Sequence, residues 1–337
     1  MRHRPFALFW SARVMSSVAF QMMSVAIGWQ IYSITHSAFA LGLVGLSQFL
    51  PMFMLTLLVG HVADCYDRHA IAFVCQAIQG MAVLTLCIVT WRGMTSQGLI
   101  YLIAAVAESA RAFESPSKSA NQTAQILGPA MGGLLYGLGA LTVYGAVAVA
   151  FIGAAIVLSS IKIEQVVRTR TPLTLESLFS GIAFIRRKPV ILGTLSLDGF
   201  AVLLGGATAL LLVFARDILH AGPWALGVLH TAPALGASDV ISVFVRMSLV
   251  QLQTPDDMRG RVGAINSLFI GTSNQLGEFE SGMTAGLFGA VPAIDWRRRN
   301  DRRCVAMDAI VSGFTGDQVA GMVRDGFACW TREKVAL

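Results

Sequence analysis

A chain of 337 residues with 55% hydrophobic and 13% charged side chains is not an ordinary soluble domain, in which about a quarter of the residues are charged. The formal charge of +6 has no basic-aromatic surface beside it, so it points to the cytoplasmic loops of a polytopic membrane protein rather than to nucleic acid. Five cysteines without a Cys-x-x-Cys pair and six histidines without ligand spacing predict neither a disulfide framework nor a metal site; no phosphate loop or catalytic constellation stands out, so no cofactor and no enzyme activity are expected.

Counting apolar runs against the roughly 20 residues that a crossing helix needs predicts spans at residues 6–33, 38–59, 70–91, 98–110, 123–138 (short for a crossing) and 141–161. A basic stretch follows, with Lys162, Arg168, Arg170, Arg186, Arg187 and Lys188. Further apolar regions cover 190–214, 226–252 and 262–293. The predicted organisation is an N-terminal six-helix half (1–161), a cytoplasmic linker (162–189), an incomplete C-terminal half (190–293) and a polar basic tail (294–337). No cleavable secretory signal is expected at the basic start, because the first apolar run lacks a small-residue cleavage site and further spans follow.

Arg2, Arg4, the basic linker, Arg259 and Arg261 mark one side as cytoplasmic, with the N-terminus inside. The opposite turns are poor in charge, with Arg92 and Arg216 as single exceptions. The tail holds 8 of the 25 Lys and Arg and by this count would lie outside, against the same bias.

Three groups of residues carry the functional expectation. Gly60, Asp64, Asp67 and Arg68 form a short charged turn between two uncharged runs. Gly60 permits a close helix approach and a tight exit, Asp64 is placed near the start of the next helix, where the dipole favours a carboxylate, and Asp67 with Arg68 can latch onto a neighbouring bundle. Gly128, Pro129, Gly132 and Gly133 lie within the fifth apolar run, where small residues let helices approach and a proline bends the chain. Ionisable and polar residues inside spans are costly and so mark a pathway by default: Arg13 and Gln21 in the first span, Asp198 in the seventh, and Glu278, with Glu280 nearby, in the last. Glu108, Arg111 and Glu114, at the inner end of the fourth span, are weighed instead as charges anchoring a helix at the interface. Asp239 and Arg246 could share one helical face.

Gly60-x-x-x-Asp64-x-x-Asp67-Arg68 resembles the loop between the second and third spans of the major facilitator superfamily. Gly128-Pro129-x-x-Gly132-Gly133 resembles the fifth-span signature of its exporters. With Arg4-Pro5-Phe6 to Arg13, Arg111 to Pro116, Asp198, and Thr254 to Val262, the chain resembles the enterobactin exporter-like, transmembrane secretion effector branch. The last of these segments is similar to the cytoplasmic turn before the eleventh span, which gives Arg259 and Arg261 a latch role in the second half. The resemblance implies an all-α, major facilitator-type bundle planned on twelve helices in two halves, with about nine spans remaining. It implies a monomer in the bacterial inner membrane, with the lipid bilayer, a small-molecule substrate such as a siderophore or drug, and the proton as coupling ion for its partners. The join near Ser238-Asp239 and the abrupt change after Pro292 read as an internal loss and a frameshift, so an inactive or purely partnering membrane protein is the alternative.

Overall fold

Uncharged apolar runs joined by short polar connections become antiparallel helices, because every amide removed from water must be hydrogen-bonded within its own segment. The computed structural model describes residues 3–65, 68–114, 118–161, 186–188, 208–234, 254, 259–289 and 292–293. Its helices are α1 (His3–Thr35), α2 (Ala38–Cys65), α3 (Arg68–Trp91), α4 (Gln97–Phe113), α5 (Lys118–Tyr136), α6 (Ala140–Ser159), α7 (Thr208–Val213), α8 (Pro223–Ala234) and α9 (Arg259–Phe288). A π-helical segment, Phe214–Ile218, continues α7. No strand occurs among the described residues. Within α1, α2, α3 and α6, the stretches Ala7–Thr35, Ala38–Leu55, His69–Trp91 and Ala140–Ser159 are long and apolar enough to cross a membrane.

Two element boundaries differ from the sequence expectation. Helix α2 runs on to Cys65, so Asp64 lies in its last turn rather than near the start of the next helix, at the end where the macrodipole disfavours a carboxylate. The apolar count ends at Val59 because a helix can continue into polar surroundings after its apolar stretch is spent. For the same reason the fifth helix is fuller than expected: α5 begins at Lys118 and takes in the polar residues Ser119, Asn121 and Gln122 before the apolar run.

Connections this short oblige consecutive helices to alternate direction. The start of α1, the α2–α3 and α4–α5 turns and the end of α6 therefore share a first face. Thr35–Ala38, Trp91–Gln97 and Tyr136–Ala140 share a second face. Hydrogen bonds across the bundle agree: the Tyr101 hydroxyl donates to the Ala40 carbonyl at 3.0 Å, joining the two helix starts at the second face.

Helix α1 is the axis of the first six helices, packed against α5 and α6, while α3 bridges α4 and α6 and α2 lies on α4. Buried α1 residues include Ala12, Ala19, Met22, Met23, Val25, Ala26, Ile27 and Ile31, which at 3.6 residues per turn spread over about two thirds of its circumference, as expected for a helix with neighbours on several sides. Met23, Ile27 and Ile31 join Leu86, Ile100, Tyr144 and Phe151 in one apolar cluster.

Two seams tie these six helices to the rest, α2 against α9 and α5 against α8. Both are glycine contacts that bring backbones together, the packing that apolar lipid surroundings favour. A Cβ on Gly282 would lie 2.5 Å from the Gly42 Cα, and one on Gly45 would lie 2.8 Å from the Gln275 carbonyl oxygen. In the other seam, a Cβ on Gly133 would lie 2.5 Å from the Pro223 carbonyl oxygen, and one on Gly227 would lie 2.6 Å from that of Pro129.

Candidate functional site

Arg13 is ten residues into α1, about 15 Å along its axis at 1.5 Å per residue. Its Nη1 meets Glu114 Oε2 at 2.5 Å, and the two side chains are only 6% and 9% exposed. Glu114 caps the C-terminus of α4, its N–H bonded to the Arg111 carbonyl, so the end of that helix aims the carboxylate back into the bundle. Gln79 of α3 donates from Nε2 to the other carboxylate oxygen at 3.2 Å. Three helices thus converge on one carboxylate. Ser16, also buried, bonds the Arg13 carbonyl at 3.1 Å.

The cluster extends along α4. The Arg111 guanidinium lies 3.9 Å from the centroid of the Phe20 ring, a cation–π contact that strengthens where water is excluded. Glu108, one turn earlier and buried, hydrogen-bonds the Gln275 side chain, linking α4 to α9 and so the first six helices to the remainder. Gln76, three residues before Gln79 on α3, is fully buried with neither amide atom bonded. The arrangement can hold a negative charge against a fixed cation, change that balance when a proton binds, and pass the change to α9 through Glu108 and Gln275.

The sequence-predicted residues fall into different places. Arg13 is in the ion pair. Gln21 lies in the α1–α5 seam, its Cβ 2.4 Å from where a Cβ on Gly128 would stand. Glu278 lies in the α2–α9 seam, half-buried, with its Cβ 3.0 Å from where a Cβ on Gly45 would stand. Gly132 faces the Met22 backbone of α1 at 2.9 Å by the same measure, while Gly133 and Pro129 face α8, so the four-residue motif touches a helix on either side of α5. Gly60 and Asp64 are in the last turns of α2, Arg68 opens α3, and Arg259 and Arg261 open α9. Since α2 and α9 are neighbours, these positions gather at one end of one helix pair, on the first face. Asp67, Asp198, Asp239, Arg246, the linker residues 162–185 and the tail 294–337 lie outside the described residues.

Sequence reasoning took Glu108 and Glu114 for interface anchors, and the structure buries both. The available signal was the three-residue spacing of Glu108, Arg111 and Glu114, which puts them on one helical stripe, with an arginine inside the first span to receive them. Gln76 and Gln79 went unremarked, although amides in an otherwise uncharged span hydrogen-bond between helices as a rule.

A family model described as transmembrane secretion effector matches residues 1–127. No curated protein matches the chain. Among solved structures, a mutant form of the nucleoside transporter NupG is similar at 10% identity with a TM-score of 0.61, covering 89% of this chain and 99% of that one. A second NupG structure is similar at 11% identity with a TM-score of 0.57, covering 93% and 98%. The architecture is a helical membrane bundle of the major facilitator type.

Proposed function

We propose that this chain is a secondary transporter that exports a small molecule such as a siderophore or a drug in exchange for protons. It acts as a monomer in the bacterial inner membrane with its first face in the cytoplasm. The observation that carries this reading is the Arg13–Glu114 pair. Two charges taken out of water inside a helical bundle are a poor source of stability and a frequent mark of a proton relay or substrate route. Glu114 would bind the proton, and neutralising it would free Arg13 and Gln79 to rearrange. The transmembrane secretion effector match over residues 1–127 supports export, and the whole-chain likeness to transporters supports the two-sided bundle that alternating access requires.

In this reading Gln21, Glu278 and Asp198 border the substrate route between the halves 1–161 and 190–293. Gly60, Asp64, Asp67, Arg68, Arg259 and Arg261 close the cytoplasmic end. The test is ethidium and catecholate-siderophore efflux from cells that lack their own exporters. Efflux that appears with the chain, stops with a protonophore and is lost in Glu114→Gln supports the proposal. Normal membrane insertion with no efflux of either compound favours the non-transporting alternative.

A further inference from the structure

Arg216 is an exception to the charge bias of the loops, and the structure gives it a place. After α7 the chain enters the π-helical segment Phe214–Ile218, which ends where the Ala221 N–H bonds the Ala215 carbonyl at 2.8 Å. One extra residue per turn swings the side chains that follow out of the α-helical register, and such turns gather at functional sites. Here the result is that Arg216 and Asp217 both meet α1. Asp217 Oδ2 accepts a hydrogen bond from the Tyr32 hydroxyl. The Arg216 guanidinium lies 5.5 Å from the centroid of the Tyr32 ring and 5.9 Å from that of Trp29. Trp29 in turn packs on Tyr136 of α5, ring centroids 6.3 Å apart. The cluster joins three elements at the second face, one of them from beyond the linker.

We propose that Arg216 and Asp217 with Trp29 and Tyr32 form a latch that holds the second face closed. This inference rests on the transport reading, since only a protein that alternates needs such a latch. It places a polar contact between the halves at the end opposite the charged turn at Gly60. Its chemistry suits a contact that must also open. The Tyr32–Asp217 bond and the two cation–π contacts favour closure. One guanidinium nitrogen, Arg216 Nη1, is buried without a hydrogen-bond partner, and opening would return it to water. The closed state is therefore held by a small difference, which either substrate or proton binding can outweigh.

The test reads accessibility rather than transport. Ala215, 0% exposed within the latch segment, is replaced by Cys in a chain whose five native cysteines are changed to Ser. The purified protein is placed in nanodiscs and reacted with a charged methanethiosulfonate, which reaches both faces. Ala124→Cys, equally buried near the start of α5, reports the first face. Adding Tyr32→Phe or Arg216→Gln is expected to raise the Ala215→Cys labelling rate about tenfold and leave that of Ala124→Cys unchanged; tenfold corresponds to about 1.4 kcal/mol. Unchanged Ala215→Cys labelling in both variants overturns the latch, and so does an equal rise at both probes, which would mean general loosening. Tyr32→Phe removes a single oxygen and keeps the test decisive if Arg216→Gln does not fold. A chain that moves no substrate can still pass, and an active transporter can fail, so the two proposals are separable.

Discussion

Removing the Glu114 charge is the most informative perturbation of the bundle core. In Glu114→Gln the new amide keeps the shape and can still accept from Gln79, but the Arg13 guanidinium loses its ion pair with Glu114. With the side chains 6% and 9% exposed, solvent does little to screen the charge left behind, and stripping one partner from a buried pair costs about 3–5 kcal/mol. The mirror substitution, Arg13→Met, should cost less, because a stranded carboxylate can shed its charge by binding a proton and a guanidinium cannot. In the double variant Arg13→Met/Glu114→Gln both charges go, and stability should return to within about 1 kcal/mol of the parent. The assay is unfolding in nanodiscs followed by tryptophan fluorescence, with the four proteins closing a double-mutant cycle. Two outcomes would refute the reasoning: single variants that each shift stability by less than about 0.5 kcal/mol, or a double variant no better than the sum of the two.

The same unfolding measurement checks four simpler expectations. Gly282→Ala puts a methyl 2.5 Å from the Gly42 Cα and should cost about 1–3 kcal/mol by forcing α2 and α9 apart. Gly145→Ala, in α6 with nothing beyond its own stretch of helix within 4 Å of its new Cβ, should instead stabilise by about 0.4–1 kcal/mol. Tyr144→Phe leaves the Gln30 Oε1 it now bonds without that donor in a buried site, at a cost of about 1–3 kcal/mol. Gln76→Leu removes a fully buried amide that has no partner and should raise stability by about 1 kcal/mol.

The helices were the legible part of the sequence, since an uncharged run such as 70–91 has few alternatives in lipid. Helix ends were less so. Asp64 and Lys118 are helical although polar, because the bilayer sets where the apolar residues stop and not where the hydrogen-bond ladder does. The glycines of the fifth span announced a close approach, but not that Gly128 and Gly132 would face α1 while Gly133 faced α8; that depends on the rotation of α5 between two neighbours. The polar cluster was half legible. Arg13 stands out as an intramembrane charge, whereas Glu114 sits at a helix end, where a charge commonly reaches solvent, and only tertiary packing turns it inward. Arg216 was visible as an anomaly of charge placement, and its explanation needed the π-helical turn that no local pattern predicted.

The central claim is that protons and a small molecule move against one another through this bundle. The purified chain is reconstituted into vesicles containing trapped pyranine, and ethidium, a catecholate siderophore and uridine are added outside in turn. The account predicts that at least one of them drives a change in internal pH with the parent protein and none with Glu114→Gln. Well-inserted parent protein that moves no protons with any of the three, or a Glu114→Gln variant that responds as the parent does, would contradict it.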